Sequence, residues 1–423
     1  MALTKITIIV ITISCFFAFS CTKQHLPVVI TSTDPMVQKF YTDNQRSFFW
    51  CSSKKDRKKA AEWLTEMESA NSFGFVSDQL QIDQLRLALV NIKEMNDSLK
   101  NKTDQQITGL VLNFLKELQQ GSIKFDYDEV TIPRDSVYIY QLRKFKTGKI
   151  VSEFVSLLEC KDAEYSILKK YLNDSITVND TLKYKALIVA MNYRKFLSVN
   201  HQSEYMFVNI AAAEAIYYKD DIPAMKMRTV PGAKSRQTPT IASYITGFVT
   251  FPFWNVPREI AVNELLPKIK KDSSYLEKHN FDVVDAKGFA VNDSLLNWET
   301  YTAQNFPYYF RQATGSGNSL GVIKFNLENP FSIYLHDTSN QTAFKKNYRF
   351  LSHGCIRLEN PLGLANAFLP DTIDMKELFA GKKDTKSNTI ILPKKIPTYI
   401  LYTTVNVINN HVTFLPDVYG LIK

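Results

Sequence analysis

Glycine is scarce, long apolar runs are missing, and no stretch is of low complexity. Fourteen glycines in 423 residues, with 45% hydrophobic residues, exclude a fibrous or largely disordered chain. A chain this long and this apolar can bury a large core and exceeds one typical domain. The longest apolar run near the start, Ile6 to Ala18, is too short to span a bilayer comfortably. Net charge is +9, yet no nucleic-acid motif accompanies it, so nucleic acid is not an expected partner. A basic surface equally suits an anionic polymer or a membrane. The run Lys54-Lys55-Asp56-Arg57-Lys58-Lys59 reads as a solvated helix face and is assigned no site.

The N-terminus reads as an export signal. Lys5 gives a short basic start, the apolar run follows, and Ala18-Phe19-Ser20-Cys21 ends it. A small residue before a cysteine resembles a bacterial lipoprotein box, with Cys21 lipidated as the mature first residue. Phe19 and Ala18 are untidy occupants of such a box, and an ordinary cleaved signal peptide is the alternative. Both readings export the chain, to a periplasmic, membrane-anchored place in the first case. Five cysteines are present. Cys15 lies in the leader, and Cys51 and Cys160 stay open between a disulfide and two buried thiols.

Ser352-His353-Gly354-Cys355-Ile356-Arg357-Leu358, with Tyr334-Leu335-His336-Asp337-Thr338 upstream, concentrates the chemistry. Only six histidines exist, and two of them lie within twenty positions of Cys355. Imidazole and guanidinium groups lower a thiol pKa and raise its reactive fraction. Gly354 leaves the backbone beside the sulfur uncrowded, so peptide N–H groups could face an oxyanion. Arg357 offers a forked cation suited to a carboxylate. Three other readings stand beside a nucleophile: a core thiol, a redox thiol, and zinc on His336, His353 and Cys355. No further Cys or carboxylate sits at a metal-like spacing, so neither metal nor cofactor is expected.

Ser-His-Gly-Cys, an apolar residue and Arg, with His336 nineteen positions before Cys355, resembles the signature of YkuD-type L,D-transpeptidases. Phe207-Val208-Asn209-Ile210, Gln237-Thr238-Pro239, Trp254-Asn255-Val256-Pro257, Arg311-Gln312 and Asn318-Ser319-Leu320-Gly321 narrow the likeness to the large YcbB-like subgroup. The resemblance implies a Cys355 nucleophile that forms 3-3 cross-links between peptidoglycan stem peptides and releases D-alanine. It implies His336 as general base, His353 shaping the loop, and Gly354 and Cys355 supplying oxyanion donors. Arg357, Ser352, Asn318 and Arg311 are the substrate-binding candidates, and cell-wall synthesis proteins are possible partners. Hydrolysis on the same scaffold, or a non-catalytic wall-binding lipoprotein, remain as alternatives. The subgroup's peptidoglycan-binding module is expected between the Tyr165–Leu172 and Leu182–Leu197 helices, where only about ten residues stand. This chain resembles the subgroup with that module deleted.

The fold class expected is α+β. A leader at 1–21 is followed by an all-helical scaffold at 22–200. A mostly β catalytic domain follows at 201–423, with a helical lid inserted at about 252–310. Leu85, Leu89, Ile92, Met95 and Leu99 form one helical stripe after Asp78, and Asp104 is read as the N-cap of Ile107–Leu118. Short β-rich runs are expected at Tyr205–Ile210, Ile241–Thr250, Gly321–Phe325, Phe331–Leu335, Thr389–Leu392, Tyr399–Ile408 and Val412–Leu415. The lid aromatics Trp254, Tyr275, Trp298, Tyr301, Tyr308 and Tyr309 could line a groove, but are expected mainly to pack inside the lid.

Overall fold

The computed structural model describes residues 29–44, 48–145, 150–175, 180–315, 317–369 and 386–423. The leader and Cys21 lie outside the described residues.

Among the described residues, eight α-helices build the first half. They are α1 (Pro35–Asn44), α2 (Lys54–Met67), α3 (Gln79–Val90), α4 (Asp97–Gln119), α5 (Asp135–Phe145), α6 (Val151–Leu158), α7 (Ala163–Ser175) and α8 (Thr181–Asn200). The apolar stripe of α4 (Ile107, Val111, Leu112, Leu115, Leu118) is fully buried and packs with Trp63, Phe40 and Phe145. Each such side chain contributes about 1.5–3 kcal/mol on burial. The expected stripe after Asp78 breaks in two. Asp78 does cap α3, but that helix ends at Val90, and Leu99 opens α4 half exposed.

Asp104 corrects another expectation. Asn96 caps α4, and Asp104 sits buried inside that helix. Its carboxylate accepts the N–H groups of Phe49, Trp50 and Cys51 and the Tyr41 hydroxyl, fixing the chain ahead of α2. An acid spaced like a helix cap is instead capping a neighbouring loop. Cys51 and Cys160 are separate buried free thiols. Between α7 and α8 the chain has only a short join, from Ser175 to Thr181.

The strands are β1 (Tyr127–Asp128), β2 (Tyr205–Asn209), β3 (Glu214–Lys219), β4 (Ile222–Val230) and β5 (Ile241–Thr250). The lid strands follow: β6 (Trp254–Asn255), β7 (Phe281–Val284), β8 (Ala290–Val291) and β9 (Tyr309–Gln312). Then come β10 (Ile323–Leu327), β11 (Leu335–His336), β12 (Ile356–Leu358), β13 (Asn388–Leu401), β14 (Val405–Ile408) and β15 (His411–Phe414). The main sheet runs β1-β5-β10-β11-β12-β4-β3-β2-β13, and β13 also pairs with β5, which closes it. Closure removes the open edges that would invite aggregation. The β3–β4 hairpin was not legible as strands because its exposed face carries Lys226 and Arg228 among short apolar residues. The expected strand at Phe331–Leu335 shrinks to Leu335–His336, because Asn329 folds the preceding residues into a turn. Its side chain accepts from Phe331 and Ile333 N–H and donates to Leu327 and Ile333 carbonyls.

The insertion forms a small unit of its own. A helical stretch over 258–271 packs on the sheet β6-β9-β7-β8. Val256, Ile260, Leu265, Ile269, Phe281 and Phe310 are its buried centre, with Trp298, Tyr301 and Tyr308 against them. Packing thus claims those aromatics, while Trp254 also faces the cleft described next. Among the described residues no helix is long and apolar enough to cross a membrane.

Candidate active site

Strand alternation sorts the barrel residues into two faces. Phe325, Leu335, Ile356 and Leu358 point into the core. Lys324, Tyr334, His336, Cys355 and Arg357 therefore fall on the opposite face, and Lys324, Tyr334 and Cys355 reach the cleft under the lid. In register, Lys324 stands opposite His336 and His336 opposite Arg357. Cys355 is the last residue before β12, and Ile356 N–H donates to Tyr334 O at 3.1 Å. A cleft of about 690 Å³ separates this face from the lid. Trp254, Pro257 and Ile260 form its roof, and Lys324, Tyr334 and Cys355 its floor.

The sulfur has a defined set of neighbours. Cys355 Sγ lies 3.6 Å from the Ser332 carbonyl, which can accept the thiol proton. Tyr334 also stands beside the sulfur at the cleft floor. Burial pushes the thiol up, and Tyr334 with the Lys324 and Arg357 charges pulls against it. Ser332 has a positive φ of 57°, an uncommon backbone for a non-glycine residue, beside the nucleophile. Gly354 has φ 112°, which side-chain-bearing residues rarely adopt.

His336 is buried, and its Nδ1 donates to the Asp337 carbonyl. That bond leaves Nε2 as the acceptor nitrogen. Burial, then the Arg357 and Lys324 cations, push the imidazole down to about 3, against the Asp337 hydrogen bond. Asp337 is itself held from both sides: its carboxylate accepts from Val322 N–H at 2.9 Å and from Gln341 Nε2 at 3.1 Å. His353 is separate from this group. Its Nε2 lies 2.7 Å from Glu264 Oε1 on the lid, and Arg236 shares that carboxylate. Among the described residues no three His, Cys, Asp or Glu side chains converge as a metal set.

Several expected site residues do other work. Ser352 is buried, accepting from Gly354 N–H at 3.1 Å and donating to the Cys355 carbonyl. It ties the turn, and it takes the Gly354 N–H expected in an oxyanion hole. Asn318 is 2% exposed, its amide donating to the Pro252 and Ala313 carbonyls and its carbonyl accepting Leu320 N–H. It staples the lid base and does not line the cleft. Arg311 pairs with Asp282 at 3.3 Å and stands over the Phe253 ring at 5.3 Å, bracing the lid sheet. Arg357 does not line the cleft, and its Nε is buried without a hydrogen-bond partner. None of these four is among the residues that line the cleft.

Sequence reasoning missed three supports. Tyr334 was read only as part of a motif. Lys324 had no neighbour in sequence to mark it. Thr238 belongs to a motif whose sequence assigns it no role; its hydroxyl donates to the Gly354 carbonyl at 2.8 Å and accepts Gly232 N–H at 2.9 Å. Their partners lie on other segments of the chain, where linear spacing is silent.

A family model described as the L,D-transpeptidase catalytic domain, YkuD, matches residues 203–385, and one described as a Scaffold domain matches residues 35–172. The chain carries a YkuD L,D-transpeptidase catalytic domain behind a Scaffold domain. A Haemophilus influenzae protein named "Putative L,D-transpeptidase" is 34% identical over 241 residues, covering 55% of this chain and 47% of that protein. The chain thus spans about half the length of the curated relative it matches. Among solved structures, an Enterococcus faecium L,D-transpeptidase mutant aligns at 13% identity over 47% of this chain and 50% of that one, with a TM-score of 0.22. The catalytic domain of an E. faecium L,D-transpeptidase acylated by ertapenem aligns at 15% identity, with a TM-score of 0.22, over 45% of this chain and 98% of that one.

Proposed function

We propose that the protein is a cysteine-dependent L,D-transpeptidase forming 3-3 cross-links between peptidoglycan stem peptides. The observation that supports this best is the meeting of Cys355 with Tyr334 at the floor of a lidded cleft, beside a His336 whose Nδ1 is pinned to Asp337. Burial keeps the thiol mostly protonated, so attack needs a base, and His336 Nε2 is the candidate. Cys355 Sγ attacks the carbonyl of the third stem residue, and the amide bond to the terminal D-alanine breaks. An imidazolium flanked by Arg357 and Lys324 is a strong acid, suited to passing its proton to the leaving amine. Cys355 N–H serves the oxyanion, a donor worth about 3–4 kcal/mol in comparable sites. The amine of a second stem then attacks the thioester and frees Cys355.

Incubation with disaccharide tetrapeptide followed by mass analysis tests the reading. A cross-linked dimer with free D-alanine supports it. A tripeptide monomer alone points to a hydrolase, and unchanged substrate points to a binding protein. We further propose a periplasmic, lipid-anchored location through Cys21, from the leader alone. Fatty-acid labelling that survives Cys21→Ser would overturn it. Wall targeting then depends on the anchor, the scaffold or a cell-wall synthesis partner.

A further inference from the structure

The charged side chains lining the catalytic cleft are Arg236, Glu259 and Lys324. Two of them are accounted for. Arg236 is hydrogen-bonded to Glu264 and lies 3.9 Å from Glu259. Lys324 is different: among the described residues no carboxylate lies within ion-pair distance of its ammonium, which sits 4.4 Å from the centre of the Tyr334 ring. It is half-buried, and burial pushes its pKa down. A partly desolvated cation without an anion is unfavourable until a ligand supplies one. Arg357, the cation expected to meet a substrate carboxylate, is outside the cleft wall.

We propose that Lys324 recognises the free carboxylate of the donor's terminal residue, the residue that departs as the amine. The inference rests on the acyl-transfer reading above and adds the group that selects the donor. Lys324 is on β10, next to β11, which begins directly after Tyr334 and carries His336, and it lines the same cleft as Cys355. Tyr334 stands between the two sites, with its ring under the ammonium and its place on the same cleft floor as Cys355. In a donor ending one residue past the scissile carbonyl, the carboxylate carbon is within about 4 Å of the attacked carbon. The attacked carbon at Sγ therefore brings the carboxylate to the wall where Lys324 stands. A neutral chain end would leave the ammonium unpaired, and a longer one would carry its carboxylate past it.

The test measures binding apart from turnover. Cys355→Ala protein is titrated calorimetrically with disaccharide tetrapeptide and with the same peptide ending in a carboxamide. The acid should bind about 10- to 100-fold more tightly, the loss expected for one hydrogen bond to a charged group. In Cys355→Ala/Lys324→Met the acid should fall to the level of the amide, and the amide should be unchanged. Lys324→Arg in the same background should restore part of the preference. Equal binding of acid and amide by Cys355→Ala overturns the proposal, as does a preference that survives Lys324→Met, or no binding of either peptide. Alkylation of Cys355 by neutral iodoacetamide across pH separates the other role open to this cation. A profile displaced upward by more than a unit in Lys324→Met, with acid and amide turnover lost equally, would make Lys324 a support for the thiolate and overturn carboxylate recognition. Turnover of the tetrapeptide by the unaltered protein decides the transpeptidase reading independently.

Discussion

His353 Nε2 and Glu264 Oε1 meet at 2.7 Å, joining the residue two before the nucleophile to the lid that roofs the cleft. Arg236 holds the same carboxylate, and Arg236 and His353 together outweigh the burial that would raise it, so Glu264 sits below the usual range. Glu264→Gln should weaken this tie. Turnover should fall about tenfold, chiefly through KM, since hydrogen bonds to charged groups contribute roughly 1.5–3 kcal/mol. Alkylation of Cys355 by a small neutral reagent should be little changed. Equal losses in both assays would place Glu264 in the chemistry and not in lid closure.

Cys355→Ala should abolish acyl-enzyme formation and leave the fold intact. A carbapenem should add covalently to the unaltered protein at Cys355, because its strained carbonyl stands in for the donor amide. Intact-protein mass spectrometry checks both. An adduct that persists in Cys355→Ala would assign the nucleophile elsewhere.

His336→Ala should slow acylation by about 10²–10⁴-fold, the range for losing a positioned general base. His353→Ala should lose less, since His353 binds the lid acid and not the sulfur's neighbours. Alkali should partly rescue His336→Ala by generating thiolate without the imidazole. Single-turnover β-lactam acylation across pH is the measurement, and a deeper, alkali-rescued loss in His353→Ala would reverse the two roles.

The same histidine shapes acid stability. Its folded pKa of about 3 lies below the ordinary value of 6.5, so the fold favours neutral imidazole. Its contribution is complete above pH 6.5 and is lost as pH falls toward 3, at up to about 1.4 kcal/mol per pH unit. His336→Gln should flatten the acid limb of a urea-midpoint profile. An unchanged slope between pH 6.5 and 4 would refute the assignment.

Gly321 makes this arrangement possible. Its φ is 60°, and a Cβ there would meet Asp337 Oδ2 at 2.2 Å. Gly321→Ala should cost about 1–3 kcal/mol in backbone strain alone. It should also displace Asp337, whose carbonyl orients His336. Activity should therefore fall further than thermal stability suggests, as kcat read beside a melting curve would show.

Much of this was legible in sequence where the signal is local. The Ile241–Thr250 strand was read with its observed ends, the Cys355 segment stood out, and a helical half before a β half was clear. Asp104 misled because a helix cap and a loop anchor look alike until the partner is known. Asn318, Arg311 and Ser352 are substrate-binding candidates by motif membership, and motif membership is silent on the anchoring contacts they make. Lys324 went unnoticed because its meaning arises from a cross-strand register and from the anions it lacks. Those are facts of three dimensions.

The lid's apolar centre is built from its own residues, Val256 to Phe310, and not borrowed from the barrel. Roof and floor of the cleft thus have separate apolar cores, with Glu264 tied to His353 and Arg236 between them. Such a roof can melt or swing while the nucleophile's platform stays assembled. A bulky wall fragment could then be threaded in from the side and gripped afterwards, with the affinity of each stem set partly by how well it mends the seam between the two units.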